Sequence, residues 1–148
     1  MQIEHPESRS RSASGDDLQV RVRREFERLV ELSSEASDLA FRGRFLTADC
    51  LVGSFADPVL LTISAGRVVA VTPQPGFMRS WRFALRAAPV AWAEHWRPIP
   101  RPGFHDLLAM MKQNEATIEG DLHPFLSNLQ FFKDLLALPR GHFFGGAP

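Results

Sequence analysis

The sequence predicts a single small α+β domain built from helical segments and five short β-strands. Apolar residues recur with helical spacing near both ends of the chain, whereas the middle alternates with a period of two. A chain of 148 residues that is 45% hydrophobic and 23% charged has the composition of one ordinary globular domain. We therefore expect a folded domain over residues 16–140, a flexible polar tail over 1–15, and a second tail over 141–148.

The first helix is predicted from about Asp17 to Ser33, with an aspartate available to cap its start. Its apolar residues are spaced by one, three or four positions and share one face, which we expect to be buried. They are Leu18, Val22, Phe26, Leu29 and Val30. The charged residues between them are predicted to face solvent.

Three β-rich stretches follow, at residues 41–50, 59–63 and 67–72. Turn residues separate them, and the connection between the last two contains Gly66. Connections this short join antiparallel neighbours, so the sequence predicts a mostly antiparallel sheet.

A fourth strand at residues 80–86 shows the clearest alternation in the chain. This pattern predicts one inward face and one face that is wet or covered by arginine stems. The predicted inward residues are Trp81, Phe83 and Leu85, and the outward ones are Arg82, Ala84 and Arg86.

The last third of the sequence is mainly helical, with a brief fifth strand. Helices are predicted at residues 89–96, 104–113 and 121–138, the strand at 116–120, and a stiff proline-rich linker at 97–103. The final helix is apolar over more than half its circumference. Such a helix is buried on several sides or presents an apolar surface to another molecule.

Charge and motifs exclude several functional classes. The seventeen basic and seventeen acidic residues cancel, so the chain has no general field for nucleic acid, and no nucleic-acid partner is predicted. No phosphate-binding loop, nucleophile elbow or zinc motif is present, and no two of the five histidines are four residues apart. We predict no cofactor, no metal and no catalytic residue.

The single cysteine, Cys50, lies in an apolar strand and is predicted to be a packed thiol in a reducing compartment. No apolar segment reaches the roughly 20 residues that span a bilayer, and the N-terminus does not look like a secretory signal. The sequence thus predicts a cytoplasmic protein without stable membrane insertion.

What remains is a surplus of aromatic side chains. The chain has twelve phenylalanines and three tryptophans but no tyrosine, so its rings lack polar hydroxyl groups. Trp92 and Trp96 lie one helical turn apart, and flexible Met110 and Met111 follow on the next helix. This surplus favours an apolar interior that encloses an apolar ligand.

The order of elements from Phe41 to Arg140 resembles the lipid-binding domain of the sterol carrier protein type 2 family. The similar features are the hairpin turn at residues 65–67, a strand leading to a tryptophan-bearing helix, the short helix at 104–111, and a long apolar C-terminal helix. The most specific similarity is the turn Ile118-Glu119-Gly120-Asp121.

This resemblance implies a five-stranded, mostly antiparallel sheet with helices on one face, enclosing an apolar tunnel for a fatty acyl chain or a sterol. By position, the implied ligand-binding residues are Phe83, Leu85, Trp92, Trp96, Phe104, Leu107, Leu108, Met111, Phe125, Leu129 and Phe132. The chain departs from the family pattern at residues 112–114 and in the long 99–102 linker, near the expected tunnel mouth. The identity of the ligand therefore stays open, as does the formation of a homodimer.

Two alternatives also remain open. The apolar last helix and the tail at 141–144 could dock onto another chain, which would make the protein an accessory subunit. A small enzyme acting on an apolar substrate is the other alternative, with His95, His105 and Asp106 as its candidate residues.

Overall fold

A computed structural model describes residues 6–76 and 79–145, with side chains from residue 15 onward. The helices are α1 (Pro6–Glu27), α2 (Leu29–Ser34), α3 (Ser37–Arg42), α4 (Pro89–His95), α5 (Leu107–Lys112), α6 (His123–Ser127) and α7 (Leu129–Leu136). The strands are β1 (Ala48–Gly53), β2 (Pro58–Ser64), β3 (Arg67–Pro73), β4 (Phe83–Ala87) and β5 (Ala116–Gly120).

The five strands form one sheet in the order β3-β2-β1-β4-β5. All neighbouring strands are antiparallel except β1 and β4, which are parallel. This architecture confirms the predicted α+β class and the mostly antiparallel sheet. The parallel pair requires the chain to cross from the β3 edge to the far side of β1 before β4 begins.

The two faces of the sheet have different coverings. Cys50 and Val52 on β1 belong to the main core, which the helices complete on one face. Leu51, between them, is also buried, and its partners across the sheet are Leu60 and Ala84. These three residues form a row on the opposite face, beside the crossover that joins β3 to β4.

The strand predicted at residues 41–50 is wrong over its first half. Phe41 is the penultimate residue of α3, and β1 begins only at Ala48. Phe41, Gly43 and Phe45 have the spacing of residues on one face of a strand, but the two phenylalanines are exposed and Gly43 is buried. Gly43 is buried because it packs against Phe131 of another helix, α7.

The predicted fourth strand is shorter than expected, although Phe83 and Leu85 face the core as predicted. It begins at Phe83, so Trp81 lies before the strand and is partly exposed instead of facing inward with Phe83 and Leu85. On the other face of this strand, Ala84 is fully buried, so this face is not wet. Arg86, two residues further on the same face, is partly buried, with its guanidinium 5.7 Å from the Phe55 ring centroid and paired with Glu119. This agrees with the expectation that arginine stems help to cover the face.

Both long helices predicted from the sequence are interrupted. The last one divides into α6 and α7 at Asn128, whose side-chain amide donates to the carbonyl of Pro124 (2.9 Å). The first divides at Arg28 into α1 and α2, and α1 already begins at Pro6 instead of near Asp17. Residues 1–5 of the predicted N-terminal tail lie outside the described residues.

The described part of the C-terminal tail, residues 141–145, packs on the domain itself. The Phe143 ring lies 5.3 Å from that of Trp96, centroid to centroid. Arg21 on α1 donates a hydrogen bond to the Phe143 carbonyl (3.2 Å). The tail therefore extends the core between α1 and α4.

The tight β2–β3 hairpin generates the first prediction. Gly66 has φ +80°, and a Cβ there would lie 2.5 Å from the Ala40 carbonyl oxygen and 2.7 Å from that of Gly43. We expect Gly66→Ala to lower the free energy of unfolding by about 2 kcal/mol or more, because a left-handed conformation and a backbone clash combine. Chemical denaturation measures this loss.

Gly15→Ala is the matched control, since a Cβ at Gly15 meets nothing within 4 Å and the residue is helical. Its stability should stay unchanged or rise slightly. Equal stability of the Gly66→Ala variant and the wild type would contradict the packing described for the hairpin.

Candidate functional site

The interior between the sheet and the last two helices is filled by phenylalanine rings. Phe83 on β4 lies 5.2 Å from Phe132 on α7 and 5.5 Å from Phe125 on α6, measured between ring centroids. Phe125 and Phe132 are 5.6 Å apart, and Phe131 continues the cluster 5.2 Å from Phe132. We call these four residues the phenylalanine cluster, and all are buried.

A second group of rings centres on α4. Trp92 and Trp96 stack at 5.7 Å, and Phe26 of α1 packs against both, at 5.0 and 5.4 Å. The Trp92 indole N–H donates to the Gly53 carbonyl (2.9 Å), and that of Trp96 donates to the Leu136 carbonyl (2.8 Å). The two tryptophans thus fix α4 to the end of β1 and the end of α7.

The remaining residues that the family resemblance implies for ligand binding differ in how exposed they are. Leu85 and Leu107 are fully buried, whereas Phe104, Met111 and Leu129 are partly buried and pack at the edge of the core. Leu108 is 38% exposed, because Met110 and Leu107 supply the buried face of α5. The structure therefore brings most of the implied residues into one interior and leaves Leu108 at its surface.

An apolar cleft of about 500 Å³ lies on the other face of the sheet. Its floor is Leu51, and its walls come from the β1–β2 loop and the crossover between β3 and β4. Leu51, Ala56, Asp57, Pro58, Gln74, Pro75, Gly76, Arg79 and Trp81 line it. None of the implied ligand-binding residues faces this cleft, and the sequence analysis did not foresee it because its lining comes from loops.

A smaller polar cavity of about 210 Å³ lies between α4, the start of α5 and α7. His95, His105 and Asp106 all border it, so the structure does bring together the three candidates of the enzyme alternative. Lys133 pairs with Asp106 (3.3 Å), and Arg140 donates to the carbonyls of His95 (2.9 Å) and His105 (3.1 Å). These contacts connect α4, the segment just before α5, and the segment from α7 to Arg140.

His95 is a structural member of this cavity. Its Nδ1 lies 2.6 Å from the Phe104 carbonyl oxygen, so Nδ1 carries the proton and donates. Burial, together with the nearby Arg140 guanidinium, lowers the pKa of His95 from 6.5 to about 4. The imidazole is consequently neutral near pH 7, with Nε2 lacking a partner among the described residues.

The surface that motivated the docking alternative is largely covered by the chain itself. Phe131, Phe132, Leu135 and Leu136 of α7 are all buried, with α3 and the core on its sides. The exposed large apolar residues of this region are Leu122 and Leu126, around α6, and Phe144 in the tail.

Other functional groups are sparse in the described part of the chain. Cys50 is fully buried, and burial raises the pKa of its thiol, so it is a packed, protonated side chain as predicted. Over residues 15–76 and 79–145, whose side chains are described, no group of three potential ligands could hold a metal ion. No helix in those ranges combines the length and the apolarity needed to cross a bilayer.

Two solved structures have a similar fold. The crystal structure of sterol carrier protein 2 superposes with a TM-score of 0.61, covering 76% of this chain and 91% of that chain at 13% identity. The solution structure of a conserved hypothetical protein from Thermus thermophilus gives 0.55, covering 78% and 87% at 12% identity. No protein-family model matches the chain, and no curated protein matches it in sequence. The comparisons confirm a sterol carrier protein type 2-like fold.

Buried, neutral His95 generates a prediction for pH. Because its folded-state pKa is below the unfolded value, stability is fully present above about pH 6.5 and is lost as pH falls toward 4. We expect a loss of about 3 kcal/mol over this window, measured by denaturation at stepwise pH.

His95→Asn should flatten this dependence, since an amide can keep the donor but does not titrate. Exposed His123→Asn is the control and should retain the slope. An unchanged slope in the His95→Asn protein would assign the acid sensitivity to another group.

Proposed function

We propose that the protein binds an apolar ligand, a fatty acyl chain or a sterol-like molecule, between its sheet and helices α4–α7. The observation that carries this proposal is the phenylalanine cluster. Phe132 contacts both Phe83 and Phe125, so rings from α7, β4 and α6 span the layer together. A ligand enters this layer by replacing ring–ring contacts with ring–ligand contacts.

The cluster suits such an exchange because dispersion and hydrophobic contacts hold it. A phenylalanine ring has no hydrogen bond to break, and its two side-chain torsions let it move aside as a unit. The tryptophan pair is different, since each indole is tied to a backbone carbonyl. The ligand therefore lies mainly against Phe83, Phe125 and Phe132, with the tryptophans as a fixed wall.

We infer that the ligand enters beside α6. Phe125 of α6 is buried in it, while Leu122 and Leu126, around the same short helix, are exposed. Leu129 is one turn before Lys133 on α7, and Lys133 pairs with the N-cap residue of α5, so Leu129 faces α5. Leu108 on α5 is also exposed, and it is the member of the implied lining that lies at the surface.

The fold supports the same function. The similar crystal structure is named a sterol carrier protein, and its fold is shared over most of both chains. The proposed lining is the set implied by the sequence: Phe83, Leu85, Trp92, Trp96, Phe104, Leu107, Leu108, Met111, Phe125, Leu129 and Phe132. Burying about 400 Å² of ligand surface is worth about 10 kcal/mol gross, against association costs of about 4–15 kcal/mol. Binding in the micromolar range is expected.

Delipidated protein tests the proposal. Titration with a fluorescent fatty acid should saturate, and unlabelled fatty acids or sterols should compete. We expect Phe132→Leu to bind about threefold to tenfold more tightly, because the ligand fills the space left by the missing ring atoms.

Phe55→Leu is the matched control, since Phe55 is 52% exposed in the β1–β2 loop, away from this layer. It should bind like the wild type. If no acyl chain or sterol saturates either the wild type or the Phe132→Leu protein, the proposed function is wrong.

A further inference from the structure

Two phenylalanines project into solvent where α3 ends and the chain turns towards β1. Phe41 is 68% exposed and Phe45 is 87% exposed, which makes them the two most exposed phenylalanines in the described part of the chain. They flank Arg42, Gly43 and Arg44, and we call residues 41–45 the aromatic turn. Exposed rings this close together mark an interaction site more often than a folding element, since folding would have buried them.

The body of the protein holds the aromatic turn in place. Leu39 before it and Leu46 after it are buried. Gly43 lies directly on the Phe131 ring, where an added Cβ would be 2.6 Å from Cδ2. Arg42 pairs with Asp134 of α7.

The β2–β3 hairpin supports the turn from the other side. Gly66 donates its N–H to the Leu46 carbonyl (3.0 Å), and Ala65 donates to the Thr47 hydroxyl (3.0 Å). The rings are thus presented outward by a rigid support and not by a loose loop. An apolar group that a rigid support already holds in position loses little conformational entropy when it binds.

A positively charged side chain, Arg44, lies between the two rings. The Arg44 guanidinium lies 4.1 Å from the centroid of the Phe41 ring and 4.6 Å from that of Phe45, so it sits against both. Among the described residues, Arg44 has no carboxylate partner; it donates only to the Phe41 carbonyl (2.9 Å). Arg67 is exposed on the adjacent hairpin, whereas Asp134 is occupied by Arg42.

Size and shape distinguish the partner. A stable protein interface buries roughly 800 Å² on each side, with a fully buried, mostly apolar core inside a polar rim. Here two rings protrude from a convex turn, with arginine between them. Aromatic rings beside basic groups suit the interfacial layer of an anionic bilayer, where rings reach the acyl boundary and guanidinium meets phosphate.

We propose that the aromatic turn docks the protein reversibly on an anionic lipid bilayer, with Phe41 and Phe45 inserted into the interface and Arg44 at the phosphates. This goes beyond the proposed ligand binding and does not depend on it. Docking places α7, which lies directly behind Gly43, toward the bilayer.

Co-sedimentation of the full chain with phosphatidylglycerol–phosphatidylcholine vesicles at low salt tests docking. The wild type should bind these vesicles and bind pure phosphatidylcholine more weakly. Phe41→Ser/Phe45→Ser should weaken binding at least tenfold with unchanged thermal unfolding, because both rings are already exposed. Arg44→Gln should reduce the preference for phosphatidylglycerol.

Phe55→Ser is the matched control, because Phe55 is an exposed phenylalanine in the β1–β2 loop, at the opposite end of β1 from the aromatic turn. It should bind vesicles like the wild type. Phe45→Trp adds a local readout: its emission should shift to the blue with vesicles and be quenched by brominated lipid.

Three results would overturn the proposal: no vesicle binding by the wild type, equal binding by the double variant, or a concentration-dependent dimer that the double variant abolishes. The last would assign the turn to a protein contact. Titration of the double variant with a fatty acid separates the two proposals. If only docking is lost, the affinity of the double variant for the fatty acid should equal that of the wild type.

Discussion

β1 lies parallel to β4, and this pairing determines where the rest of the chain can go. A parallel neighbour cannot be reached by a tight hairpin, so the chain must cross the sheet between β3 and β4. That crossover runs beside Leu51 on one face, and the helices complete the core on the other. The outer cleft follows from this connection, because residues of the crossover form one of its walls beside Leu51.

The helical layer is held in two different ways. On the α4 side, indole N–H groups bond to the carbonyls of Gly53 and Leu136, which are directional contacts with one satisfactory geometry. On the α6–α7 side, phenylalanine rings meet without polar partners, and non-directional contacts allow several packings of similar energy. The absence of tyrosine from the sequence is consistent with this division, since a buried hydroxyl in the second region would fix the rings in one arrangement.

The sequence predicted those features that depend on local pattern. The alternation of Phe83 and Leu85 identified an inward strand face, and the run ending in Gly120 identified β5. Features that depend on contacts between distant parts of the chain could not be predicted from the sequence. The spacing of Phe41 and Phe45 imitated a strand, because the burial of Gly43 against Phe131 cannot be recognised from sequence spacing. The polar cavity likewise needs Lys133 and Arg140, which lie far along the chain from the three residues singled out.

The aromatic turn and the proposed ligand layer share one helix, and this limits how they can interact. Phe131 contacts Gly43 on one side and Phe132 on the other, and Phe132 contacts Phe83. Spatial continuity alone does not establish energetic coupling; coupling requires an element with two arrangements that both sites bias. The phenylalanine cluster has the properties of such an element, because its rings can repack without breaking a hydrogen bond. Under the two proposals, a bilayer that shifted α7 would therefore act on the same ring contacts that an entering apolar ligand must separate.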